Sequence, residues 1–189
     1  MDVEEAIRTR RSIGKVKPDA VDKTLIQNLL DAATWAPCHY HTEPWKFIVM
    51  MGEGRSKLGE GYARVCAETL TDVTGEQLQE RLAKERQKAF RAPVVIAAVC
   101  TPSDDPRVAR VEELAAAHAA VQNMLLSAHA CGLASIWRSG EPMYHPLMKE
   151  SLGLDARDEI VGLVYIGYPD ISPPAGKRTP AAVKTIWLE

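Results

Sequence analysis

The stretch Pro93-Val94-Val95-Ile96-Ala97-Ala98-Val99-Cys100-Thr101 contains the longest apolar run of the chain. It is too short for an independent helix, is bounded by a proline, and shows no polar alternation. A run of this kind reads as a strand covered on both faces. A central strand with a layer on each side therefore organises the fold. Upstream, Lys46-Phe47-Ile48-Val49-Met50-Met51 is β-branched and aromatic enough for a second buried strand. Downstream, Ser135 to Ser139 and Ile160 to Tyr168 read as further strands, flanking a short helix near Leu147 to Leu152.

The helices follow from spacing. Val3 and Ile7 mark a short N-terminal amphipathic helix ending near Arg10 to Ser12. Asp22 is placed to cap a second helix carrying Leu25, Ile26, Leu29, Leu30 and Ala33, and Pro37 disfavours helix at Ala36. A loop is expected from Pro37 to Pro44. Gly54 to Arg91 reads as helix interrupted near Gly75. The longest helical pattern runs from Arg107 to Leu133, with Leu114, Ala117, Val121, Leu125 and Ala128 on one stripe and Gly132 near its C-cap. After Tyr168 the proline-rich segment PDISPPAGKRTPAAVKTIWLE cannot continue a regular element until Val183 to Leu188, where a terminal strand is expected. With 189 residues the chain is expected to be one domain, 169–189 forming a C-terminal arm.

Composition excludes several classes of function. The 23 Lys and Arg against 25 Asp and Glu leave a net charge of −2, with no broad electrostatic footprint for nucleic acid. The start Met1-Asp2-Val3-Glu4-Glu5 lacks a basic segment followed by an apolar one, and no apolar run approaches membrane-spanning length, so a cytoplasmic location is expected. Cys38, Cys66, Cys100 and Cys131 lie too far apart for paired zinc ligands. The cluster Cys38-His39-Tyr40-His41 has no second cluster to complete a tetrahedral set, and no metal is expected. There is no phosphate-binding Walker loop, no dinucleotide glycine fingerprint and no nucleophile elbow. Gly52-Glu53-Gly54 is better explained as a strand-to-helix turn, because its acidic middle residue opposes anion binding. Arg10-Arg11-Ser12 is more informative: two guanidiniums and a hydroxyl beside a helix end can clamp a phosphate through charge-assisted bonds.

Five segments in order carry a resemblance. They are Arg10-Arg11-Ser12 after the first helix; Ala36-Pro37-Cys38-His39 with Pro44-Trp45-Lys46-Phe47 entering a strand; Phe90-Arg91-Ala92-Pro93 opening the central strand; Gly132-Leu133-Ala134-Ser135-Ile136-Trp137-Arg138-Ser139-Gly140 after the alanine-rich helix; and the strand Ile160 to Gly167. Together they span nearly the entire chain, which resembles the nitroreductase family, especially its short bacterial members.

The resemblance implies an α+β fold, a mixed sheet flanked by helices, built as an intertwined homodimer with two FMN molecules at the interface. The C-terminal strand, Thr185 to Leu188, would extend onto the partner's sheet, and the long helix would line the twofold interface. Arg10, Arg11 and Ser12 would hold the FMN phosphate and ribityl chain, with Trp137, Arg138 and Ser139 closing on it from the same subunit. Trp35 and His39 would come from the partner. Lys177 and Arg178 resemble a basic pair that longer members direct at the phosphate, with different spacing.

The implied activity is electron transfer from NADH or NADPH to a small acceptor, with ping-pong kinetics. Hydride would move within the cofactors, so no catalytic nucleophile or base is expected from the protein, whose part is geometry and charge, with Arg10 and Lys15 both candidates near flavin N1. Nitroaromatics, quinones and free flavin remain open as acceptors, and the nicotinamide donor is not selected. Other outcomes on the same fold are reductive dehalogenation, flavin breakdown, or flavin binding without catalysis; a cofactor-free structural dimer is a further possibility. Glu43 departs from the family pattern, standing before Pro44-Trp45 where many members carry Gln or Asn.

Overall fold

The computed structural model describes residues 1–70 and 72–189. Four strands, β1 (Trp45–Met51), β2 (Val94–Cys100), β3 (Ala134–Arg138) and β4 (Glu159–Gly167), form one sheet in the order β1-β2-β4-β3. The run that opens the sequence reading is β2, and every one of its residues is buried. Its alternate side chains feed two separate cores. Val94, Ile96, Ala98 and Cys100 face helices α2 (Lys23–Thr34) and α5 (Arg110–Ala130). Val95, Ala97 and Val99 face a second layer that includes α3 (Ser56–Thr69) and the short α7 (Pro146–Ser151). A strand with no polar face is thus the sequence signature of a sheet between two helical layers.

The ladders between the four strands are antiparallel throughout. Among the described residues, parallel pairing is confined to an isolated bridge between Ser12 and Ser135, through which the segment after α1 (Val3–Thr9) covers the β3 edge. In the ladder of β2 with β4 the register shifts between Ala98 and Val99, leaving Val161 as the extra residue of a bulge.

The cap expected at Asp22 forms, and Asp2 caps α1 in the same way. The Asp22 carboxylate accepts the Thr24 N–H at 2.6 Å and Asp2 accepts the Glu5 N–H at 2.8 Å. At the other end of α5, Gly132 adopts φ 75°, the Leu133 N–H donates to Ala128 O at 2.9 Å, and the Gly132 N–H donates to His129 O at 3.0 Å. These are the two bonds of a Schellman stop, which needs a residue without a Cβ at the left-handed position. The helix is shorter than its sequence pattern: Arg107 is held outside it by bonds to the Asp105 carboxylate, and Ala109 is the cap. The helical reading of Gly54 to Arg91 divides into α3 and α4 (Gly75–Gln87); Thr71, between them, lies outside the described residues.

Beyond Tyr168 the chain leaves the body. Lys17 N–H to Tyr168 O at 2.8 Å and Asp170 N–H to Lys15 O at 3.2 Å are its last ladder-like contacts, and 171–189 is exposed. The terminal strand expected from Val183 to Leu188 is not formed. Ala181–Lys184 makes a 3-10 turn, and Ile186, Trp187 and Leu188 are 86, 81 and 94% exposed. A strand is defined by its ladder, and this segment has no ladder partner within its own chain.

Candidate functional site

Helix α1 ends at Arg10, whose extended backbone (φ −57°, ψ 134°) turns the chain toward β3. The Ile13 N–H donates to Ser135 O at 3.0 Å, fixing Ser12 against that strand. Around this helix end lies a basic recess of about 290 Å³, lined by Ile7, Arg8, Arg11, Gly176 and Arg178. Arg11 binds the arm to it by donating to Pro174 O at 3.1 Å, and to Arg8 O at 2.7 Å. Gly176 permits that approach, since a Cβ there would collide with the Arg11 guanidinium. Arg10 is more consequential. Its Nη1 is buried and, among the described residues, has no hydrogen-bond partner, and burial, together with the charges of Arg178 and Arg11, pushes its pKa below the usual guanidinium value. Three guanidiniums thus gather positive charge here, and among the described residues none of Arg10, Arg11 and Arg178 forms an ion pair with a carboxylate, a configuration suited to a phosphate.

Strand β3 runs away from this recess. Arg138 stands three residues beyond Ser135, roughly 10 Å along an extended chain. Because side chains alternate, Trp137 and Arg138 point to opposite faces of the sheet. Trp137 lies flat over Gly162, donates Nε1–H to Val161 O at 3.1 Å, and stacks near His118 at 5.6 Å between ring centroids. Arg138 lies 5.6 Å over the Tyr165 ring, close to Gly14, and its buried Nε has no hydrogen-bond partner among the described residues. Tyr165 in turn shares a hydrogen bond of 3.2 Å with Tyr62, and burial pushes both phenols up. Sequence spacing gave no signal for this tyrosine pair, which bridges β4 and α3. Ser139 is exposed, next to Gly140 at φ 130°, where a side chain would strain the turn.

The third element is the loop between α2 and β1. Trp35 is 87% exposed at the α2 C-cap. With Ala36, Pro37, Cys38, His41, Glu43 and Trp45 it lines a cleft of about 650 Å³. Three non-glycine residues there adopt left-handed backbone: Tyr40 (φ 55°), His41 (φ 54°) and Glu43 (φ 47°). Such strain persists only where surroundings enforce it. Here Cys38 Sγ is the hub, accepting the Glu43 N–H at 3.0 Å, so the sulfur serves the loop. His39 Nε2 faces Glu112 Oε2 at 3.7 Å, and the Arg107 guanidinium covers Tyr40 at 5.3 Å, so the loop rests on the N-terminal end of α5.

The basic recess sits at the opposite end of that helix, where Thr9 Oγ1 meets His129 Nε2 at 2.7 Å. At a rise of 1.5 Å per residue, Glu112 and His129 are about 25 Å apart. The structure therefore gathers Arg10, Arg11, Ser12 and Arg178 at one end and holds Trp137, Arg138 and Ser139 further along β3. Trp35 and His39 stand apart from the phosphate-like recess of their own chain.

A sequence model of the nitroreductase family matches residues 7–168. The chain is 33% identical over 177 residues to the "Putative NAD(P)H nitroreductase YfhC" of Bacillus subtilis, covering 93% of this chain and 89% of that protein. Among solved structures it superposes with TM-score 0.84 on a nitroreductase-like family protein from Bacillus cereus, 35% identical, covering 100% of this chain and 97% of the other. It also matches a "putative nitroreductase in complex with fmn" from Desulfovibrio desulfuricans at TM-score 0.76 and 26% identity, over 100% of this chain and 98% of that one. A family match across most of the sequence and agreement of fold along its whole length lead to one assignment: the chain belongs to the nitroreductase family.

Proposed function

We propose that this chain is an FMN-dependent oxidoreductase that draws electrons from NADH or NADPH and passes them to small planar acceptors such as nitroaromatics or quinones, working as a homodimer. The observation that carries the reading is Arg10: a buried guanidinium nitrogen with no partner, pressed against two further cations at a helix end. A phosphate monoester satisfies both defects at once, supplying acceptors and negative charge. The residues present fit FMN. Arg10 and Arg178, with the Ser12 hydroxyl, would hold its phosphate, and Arg11 keeps the arm that bears Arg178 in place through Pro174 O. Arg138, with its unpartnered Nε and a tyrosine ring beneath it, would meet the polar edge of the ring system.

When bound, FMN supplies the two-electron chemistry, accepting hydride from a reduced nicotinamide and releasing it to the acceptor. The chain's own residues bind, orient and exclude water. Arg138 would hold positive charge toward the bound ring and so favour its negatively charged reduced form. His39, at the end of α5 about 25 Å from the end that meets Thr9, and Trp35, in the cleft beside it, would serve the second subunit's flavin. The two substrates would use one cleft in turn, giving ping-pong kinetics. The exposed Ile186, Trp187 and Leu188 support the exchange of the arm onto a partner's sheet.

The test is the absorbance spectrum of purified protein before and after anaerobic NADH or NADPH. A flavin spectrum that bleaches and recovers on adding a quinone is the expected result. Colourless protein that takes up no FMN, or bound flavin that neither nicotinamide bleaches, refutes the reading.

A further inference from the structure

The cleft beside the α2–β1 loop has an unbalanced charge. Of the eight side chains that line it, Thr34, Trp35, Ala36, Pro37, Cys38, His41, Glu43 and Trp45, Glu43 is the one carboxylate, and no Lys or Arg is among them. Among the described residues its carboxylate makes no hydrogen bond or ion pair, while its backbone N–H is fixed on Cys38 Sγ at 3.0 Å. Lys46, three residues along the chain, is already engaged with Asp158 at 2.9 Å. The backbone of Glu43 is thus held in a conformation that non-glycine residues seldom adopt, while its carboxylate is exposed to the cleft and, among the described residues, is not neutralised. Two tryptophans supply flat apolar surface for a ring in the same cleft.

We infer that Glu43 sets the acceptor specificity of this protein: the cleft admits planar aromatic acceptors that are neutral or cationic, or that present an N–H to the carboxylate, and discriminates against aromatic anions. A negative group entering beside Glu43 meets like charge and leaves its own hydration without compensation, whereas a positive or N–H-bearing group gains a charge-assisted contact. This is selection by repulsion as much as by attraction. The inference rests on the oxidoreductase reading, in which this cleft faces a flavin, and adds to it the class of acceptor.

Three ligands of one shape separate the effects: 4-nitrobenzoate, 4-nitrobenzamide and (4-nitrobenzyl)trimethylammonium. Their affinities for the flavin-loaded protein are read from saturable quenching of tryptophan fluorescence, which needs no turnover. At low salt the unmodified protein is expected to bind the cation about fivefold more tightly than the anion, with the amide between them. Glu43→Gln should bring that ratio to within about twofold of one, and Glu43→Lys should invert it. Raising ionic strength should shrink the ratio in the unmodified protein. A cation-to-anion ratio near one in the unmodified protein, a ratio unchanged by Glu43→Gln, or no saturable binding of any of the three overturns the inference. Failure of nicotinamide to bleach the flavin overturns the oxidoreductase reading instead, and the two results are distinguishable because the fluorescence titration is independent of electron transfer.

Discussion

At the scale of single residues, the two ends of the candidate site make separable demands. Arg178 stands close enough to Arg10 for its charge to lower the Arg10 pKa, whereas Arg138 lies along β3 over Tyr165. If the first pair holds a phosphate, Arg10→Ala should weaken FMN by about 1.5–3 kcal/mol, roughly ten- to a hundredfold, and leave riboflavin, which lacks the phosphate, nearly unaffected. Arg138→Ala should weaken both flavins alike. Isothermal titration with the two ligands checks this; equal losses for FMN and riboflavin in Arg10→Ala would remove Arg10 from the phosphate. The buried Asp158 illustrates a structural ion pair. Burial raises its pKa, but the Lys46 ammonium at 2.9 Å and the Asp155 N–H hold it below the usual carboxylate range. A depressed carboxylate adds stability above its unfolded pKa, near 4, that is lost as pH falls through the folded value. Lys46→Met leaves that charge unpaired. Since Lys46 is itself half exposed, the cost should be about 2 kcal/mol rather than the full penalty of a wholly buried pair. Urea titrations should show this loss at neutral pH, and acid unfolding should begin at higher pH than in the unmodified protein.

At the scale of elements, close approach is the recurring theme. Helix α5 places Ala116, Ala117, Ala120 and Ala128 in contact surfaces, and the small side chains let it lie near both α2 and the sheet. Gly162 does the same for a strand. Its missing Cβ is the space filled by the Trp137 indole, whose Nε1–H reaches Val161 O. Gly162→Ala should expel the indole from this position, costing about 1–3 kcal/mol by overpacking and shifting tryptophan emission to longer wavelength. Thermal unfolding and emission spectra test it. An unchanged spectrum would mean that Trp137 is not seated on the sheet in solution. Two elements differed from their sequence patterns for identifiable reasons. Helix α5 starts late because the Asp105 carboxylate engages both the backbone and the side chain of Arg107. The terminal strand is missing because its residues lack a ladder partner within the chain.

For the whole molecule, several large apolar side chains stand outside the protomer's own core. The arm exposes Ile186, Trp187 and Leu188, the β1 edge carries the half-exposed Val49, and Trp35 stands out from the body. If the arm crosses to a second subunit, deleting Thr179 to Glu189 should weaken dimerisation and lower flavin occupancy together, as read by light scattering and absorbance. A truncated protein that stays dimeric and fully loaded rules the arm out. A subunit-mixing experiment tests the shared site directly. Arg138→Ala and His39→Ala proteins should each be impaired. If His39 serves the partner's flavin, a mixed dimer gathers both lesions in one site, leaves the other intact, and regains part of the activity. No recovery in heterodimers verified by mass spectrometry would return His39 to its own chain.

The sequence by itself determined the layers. An unbroken apolar run requires cover on both faces, and capping residues such as Asp22 and Gly132 act within a few positions of where they stand, so their effects can be read locally. It also determined the segments that mark the family, including Arg10-Arg11-Ser12 and Trp137-Arg138-Ser139. Pairings between distant residues were decided only by the tertiary structure. Tyr62 meets Tyr165, and Lys46 meets Asp158, through strand order and helix placement, which no local pattern encodes. The opposite directions of Trp137 and Arg138 follow from the alternation of β3, but which side chain meets Gly162 and which meets Tyr165 depends on how that strand is registered against β4. The separation of His39 from Arg10 by the length of α5 is likewise a property of the assembled fold, because it depends on which helix end each segment reaches after the chain has closed on itself.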